Sequence, residues 1–182
     1  MRSARAVRVR RHRVAVAVSL VTAPQVYGGL ISSAIWFESR VGGGEALLML
    51  ILSHTVLPLA PIVVDSARGR VDVFVSKRED RWKYYLASIL AYSLGILYAL
   101  WRGYWLYAVL TLSYAVSAAL LAAVTVFAKW KISVHTAGVA GPTTALAMVV
   151  GWQATPLFLL LIPVAWARLE LNAHTPAQLI AG

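Results

Sequence analysis

Apolar residues in this chain run in long blocks, and the polar residues gather in the short breaks between them. A bilayer hydrocarbon core of about 30 Å needs about 20 apolar residues in a helix. On that ruler the pattern predicts six membrane segments: Val14 to Phe37, Glu45 to Val64, Tyr84 to Trp101, Tyr104 to Phe127, Thr136 to Trp152 and Thr155 to Ala167. The last two are the shortest. Pro24 and Gly28-Gly29 predict that the first segment is kinked, or that its first half lies in the membrane interface. The fold class expected is all-α, a polytopic transmembrane helical bundle. Residues 1–13 form a basic arm and residues 14–182 a single membrane-embedded domain.

Composition supports the membrane assignment. The chain is 60% hydrophobic and only 13% charged, with a mean hydropathy of +0.72, which excludes an ordinary soluble domain. The absence of cysteine removes disulfide frameworks and thiolate metal sites. Seven tryptophans and eight tyrosines suit interfacial anchoring. A net charge of +10 leaves no soluble module to bind nucleic acid once the apolar segments are set aside, so anionic lipid or a phosphate-bearing substrate fits it better. Of the 17 lysines and arginines, all but Arg40 and Arg102 fall on one face of a six-crossing topology. The positive-inside rule predicts that this face is cytoplasmic. Oligomeric state is left open.

Three polar stations share that face. The first is Asp65 to Tyr85, which mixes Arg68, Arg70, Lys77, Arg78, Arg81 and Lys83 with four acids. The second is KWKISVHTAGVAGPTTAL, Lys129 to Leu146, where Ser133 and His135 open a helix whose N-terminal amides favour an anion. The third is Trp166 to Gly182, where His174 stands six residues after Arg168 and Gln178 four residues after His174. Loops separated by antiparallel helix pairs can meet at one end of a bundle, so the arginines, the serine and the two histidines can converge on one pocket. Such a pocket suits phosphoryl chemistry without a metal or other cofactor. Arginine offers paired donors to phosphate oxygens, one histidine can attack phosphorus, and the other can protonate the departing oxygen.

The order and spacing of these stations resemble the type 2 phosphatidic acid phosphatase family, membrane enzymes acting on lipid phosphates and diphosphates. The family's third motif, serine-arginine, five residues, histidine, three residues, aspartate, is similar to Ala167-Arg168, His174 and Gln178. Its second, proline-serine-glycine-histidine, corresponds to Ile132, Ser133, Val134 and His135. Its first, lysine, six residues, arginine-proline, is matched by Arg81, with Phe74 at the lysine position and Lys77 and Arg78 nearby to supply charge. The resemblance covers roughly residues 65–182.

That resemblance implies that His174 is the nucleophile forming a phosphohistidine and that His135 is the general acid for the leaving lipid oxygen. Arg81, Arg168 and Ser133 would hold the phosphate oxygens, with a lipid phosphate or a polyprenyl diphosphate as substrate. Gln178 would orient His174 through a neutral amide oxygen in place of the family's aspartate. A charge-assisted hydrogen bond is about twice as strong as a neutral one, so slower transfer with retained binding is expected. TPAQLIAG, Thr175 to Gly182, reads as the opening turns of a further membrane helix. Two alternatives stand beside the phosphatase: a non-catalytic lipid-phosphate binder, and a metal-dependent lipid phosphotransferase built on Asp65 and Asp72.

Other polar residues carry structural expectations. His54 lies inside an apolar run, where a neutral histidine bonded to a neighbouring helix is expected. Gly138 and Gly141 form a small-residue surface that would let the helix carrying His135 approach the one after His174. Arg40, Arg102, Glu38 and Glu45 read as loop charges on the far face.

Overall fold

A computed structural model describes residues 2–182. Met1 and the side chains of residues 1–6, which include Arg2 and Arg5 of the basic arm, lie outside the described residues. Among the described residues the structure is helical throughout and holds no strand. Helix α1 spans Arg2–Val21 and α2 spans Pro24–Ser39, and the two are bent by 48° at the break between them. The bend therefore falls just before Pro24, at the first position of α2, where the missing N–H breaks no helical bond. The backbone of the arm is the first part of α1.

A second limb consists of α3, Gly44–Ile51, a π-helical turn over Leu52–Val56, and α4, Leu57–Ala67. A polar loop leads to α5, Arg81–Trp101, which turns at Gly103 into α6, Trp105–Val126. Next come α7, Val134–Val150, a 3₁₀ stretch over Gly151–Leu160, α8, Leu161–Glu170, and the short α9, Pro176–Ala181.

Four helical stretches are long and apolar enough to cross a membrane, and the bent α1–α2 pair makes a fifth. This count differs from the six segments of the hydropathy pattern at one place. Val134–Glu170 qualifies as a single 37-residue stretch. A straight α-helix of that length would hold its ends about 55 Å apart. Yet the Ser133 N–H, before its start, donates to the Gln178 carbonyl, past its end, at 3.1 Å. The stretch is a hairpin, reversed at Gly151, whose φ of 83° and ψ of −158° lie in a region open essentially only to glycine. As limbs, the chain passes six times between the two ends of the bundle.

The helices are turned inside out relative to a soluble protein. Along α5, Ser88, Ala91, Tyr92, Gly95 and Ala99 face the bundle at helical spacing, while Leu86, Leu90, Leu94 and Leu97 are exposed. Where the outer solvent is hydrocarbon, leucine gains nothing by burial, and small residues let helices pack closely. Gly138 is such a point: a Cβ there would meet Pro24 of α2 at 2.7 Å. The glycine surface thus serves the α2–α7 contact rather than an approach to the helix after His174, and Gly141 faces open space.

His54, on the π-helical turn, is fully buried. Its Nδ1 bonds Ser32 Oγ of α2 at 2.6 Å, its Nε2 bonds Thr111 Oγ1 of α6 at 3.1 Å, and its ring stacks on Tyr114 at 4.3 Å. Both ring nitrogens are satisfied, so this histidine ties three limbs together. At the end of the bundle away from the polar loops, Arg102 pairs with Glu45 at 3.1 Å and the Tyr104 hydroxyl donates to the same carboxylate at 2.7 Å.

Candidate functional site

The site is built at the ends of α5, α7 and α8, with one contribution from α1. The third station shows how local sequence places two functional groups. Helix α8 ends in a Schellman arrangement: the Ala173 N–H donates to the Arg168 carbonyl at 2.9 Å, and the Asn172 N–H to the Leu169 carbonyl at 2.9 Å. Asn172 takes the left-handed conformation that closes it, φ 50°, which asparagine tolerates better than most residues. The chain therefore doubles back within six residues of Arg168. His174 returns to the end of the helix that carries the arginine.

At the second station Ser133 is the N-cap of α7, its Oγ accepting from the Thr136 N–H at 3.3 Å. His135 follows in the first turn, buried with 4% of its surface exposed. The first station supplies Arg81 at the start of α5, 4% exposed. Its Nε donates to the Val75 carbonyl at 3.0 Å and its Nη1 to the Ile132 carbonyl at 3.2 Å. Arg81 thus fastens the first station to the residue preceding Ser133. Arg168, 1% exposed, donates from Nη1 to Ser19 Oγ of α1 at 3.3 Å.

Within this cluster lie all the buried side-chain polar atoms without a well-formed hydrogen bond among the described residues: both ring nitrogens of His135, which has the Ser19 backbone nearby, both of His174, which has the Ile132 backbone nearby, and Nε of Arg168. An unpartnered buried polar group costs about 1–3 kcal/mol, and native proteins carry few. Five in one place point to a polar ligand rather than to packing. The surroundings are cationic: His174 feels Arg168, Arg81 and Lys131, and Lys131 feels Arg81 and Arg168. Burial, reinforced by those three cations, pushes the His174 imidazole down to about 3. Burial likewise lowers Lys131, helped by the two arginines. The ligand this favours is an anion.

Five of the eight residues read from sequence meet here: His174, His135, Arg81, Arg168 and Ser133. Three do not take the expected places. The Gln178 amide oxygen accepts from the Thr175 N–H at 3.0 Å, and Thr175 Oγ1 accepts from the Gln178 N–H at 3.4 Å. This is a capping box that starts α9, so the amide is spent on the helix and makes no bond to His174. Arg78 reaches Glu79 at 2.8 Å and the Thr125 carbonyl at 3.4 Å, and Lys77 is exposed beside it. The charge that joins the cluster instead is Lys131.

Ser19 and Phe74 are further members that sequence reasoning did not assign. Ser19 sits on a buried stripe with Ala15 of α1 and Thr22 just past its end, a small-residue spacing visible in the sequence. Its arginine partner is 149 residues away, and no local pattern indicates it. The two carboxylates of the alternative reading have separate partners. Asp65 is engaged by Tyr84, Arg70 and Lys83, whereas Asp72 is engaged by Phe74 and Ser76. Among the described residues no three histidine or carboxylate side chains gather as a metal would need. No protein-family model matches the chain, and neither a curated protein nor a solved structure matches it.

Proposed function

We propose that the pocket binds the phosphate headgroup of a membrane lipid, a phosphomonoester or a polyprenyl diphosphate, and hydrolyses it through His174. The observation that carries this reading is the cluster of five buried polar atoms without a well-formed hydrogen bond, set among Arg81, Arg168 and Lys131 at the end of an apolar bundle. A lipid can present its phosphate to such a site while its chains stay in hydrocarbon. Because His174 is held neutral, its nitrogen lone pair is free to attack phosphorus.

In the first step a P–N bond to His174 forms as the P–O bond to the lipid breaks, and His135, loaded with the proton that the lipid phosphate itself brings in, gives it to the leaving oxygen. In the second, water attacks the phosphohistidine, His135 takes back a proton, and inorganic phosphate leaves. Arg168, positioned by Ser19, and Arg81 neutralise the charge on the phosphoryl oxygens. The excess of basic residues on this end supports a cytoplasmic orientation.

A second reading is favoured by Gln178. With its amide committed to Thr175, His174 lacks the partner that would stabilise a cationic phosphohistidine, as suits a protein that binds lipid phosphate without turning it over. One assay separates the two. Purified protein in detergent is given polyprenyl diphosphate or phosphatidate in the presence of EDTA, and phosphate release is compared with His174→Ala. The enzyme reading expects release by the wild type, reduced at least about a hundredfold in the variant. Equal release by both removes His174 as nucleophile. Retained lipid-phosphate binding without release assigns the binder.

A further inference from the structure

Phe74 has no part in phosphate chemistry, yet its ring lies against two groups that do. Its centroid is 6.0 Å from that of His135, edge to face, and 5.0 Å from Arg168 Cζ. Half-buried, it sits between the exposed loop and the buried pocket residues. The loop that carries it is well ordered by its own bonds. The Asp72 carboxylate accepts from the Phe74 N–H at 2.9 Å, the Ser76 N–H at 2.8 Å and Ser76 Oγ at 2.9 Å.

Two features make this closed arrangement costly. Val75, a β-branched residue, is held at φ 47°, in the left-handed region that such side chains avoid. Beneath the ring, the nitrogens of His135 have no well-formed hydrogen bond within the protein, and a ring packed edge to face cannot serve them as an anion would, whereas Arg168 gains a cation–π contact with the ring. What ties the loop to the pocket is the bond from Arg81 Nε to the Val75 carbonyl. An incoming anion competes with that carbonyl for the same guanidinium. Ligand binding and loop release are therefore coupled through Arg81.

We propose that Phe74 is a displaceable plug: its ring covers His135 and Arg168, and an entering phosphate group draws Arg81 away from Val75 and lifts the 72–76 loop. This rests on the phosphate-pocket reading for the identity of the ligand, but not for the existence of the cover. The plug would keep water and the cationic pocket apart until a headgroup arrives.

Histidine labelling in the full-length protein tests it. Diethyl pyrocarbonate is applied in detergent at neutral pH and modification is followed at each histidine by peptide mass spectrometry. His12, exposed on α1, reports reagent strength, and His54, sealed in the bundle, reports folding. Phe74→Ala is expected to speed labelling of His135 about tenfold, with His12 unchanged and His54 protected, as expected when a closed state loses its advantage. Asp72→Asn, which loosens the loop but keeps the ring, is expected to act in the same direction. Should Phe74→Ala expose His54, Asp72→Asn decides alone. Unchanged labelling of His135 in a folded variant overturns the plug. Saturating inorganic phosphate is expected to slow labelling of His135 in Phe74→Ala. Fast labelling that phosphate does not slow leaves the plug standing and removes the phosphate reading.

Discussion

His174 is the side chain on which the proposed chemistry depends, and its environment makes it titrate unusually. Burial, with Arg168, Arg81 and Lys131 around it, sets its value near 3, against 6.5 for an ordinary histidine. The unfolded chain therefore takes up a proton between those values that the folded chain refuses. The stability this group contributes is fully present above about pH 6.5 and is lost as pH falls toward 3. Thermal melts in detergent between pH 7 and pH 4 are expected to show a falling midpoint, with a shallower slope in His174→Gln. Identical slopes would mean that the imidazole is not held neutral. A bound phosphate would offset the cations, so added phosphate should also flatten the wild-type profile.

The short connections bring these side chains together, and here the difference between legible and illegible features is sharpest. The apolar runs identify the limbs because a bilayer imposes their length, and Gly151 falls inside the fifth run, next to its last residue. The six-residue interval between Arg168 and His174 was readable as a relation, but its cause is Asn172 closing α8 in a left-handed turn. Thr175-Pro-Ala-Gln178 carries the sequence signature of a capping box, and that local demand outcompetes the distant one expected of Gln178. Ser19 gives no local signal, because its role exists only across the fold, and Phe74 stands out in the sequence only as the residue at the lysine position of the first motif. Asn172→Val is expected to cost about 1–2 kcal/mol, whereas Asn172→Gly retains stability and pocket function. Thermal shift and phosphate binding measured together check this. Equal melting of the two variants would show that the turn does not depend on its left-handed residue.

The molecule is a bundle with two unlike ends. One end is tied by Glu45, Arg102 and Tyr104, and the other collects the cations, the two buried histidines and the exposed loop. Between them, small and hydroxyl-bearing residues hold the limbs while leucines face outward. The charge asymmetry makes orientation testable. In intact cells, a cysteine placed at the exposed Ala128, beside the site, is expected to resist an impermeant maleimide and to react once the cells are opened. Labelling of intact cells would put the pocket outside.

The Ser19–Arg168 contact also bears on how the protein is made. Its partners lie 149 residues apart, and the histidine that completes the pocket follows the arginine. A chain emerging from the ribosome inserts its early limbs long before that arginine exists, so a partly made chain has Ser19 in place but no pocket. On the proposed reading, affinity for lipid phosphate arises only when the last hairpin has been made and docks against α1. Incomplete chains left in the membrane would be inert toward the lipids around them.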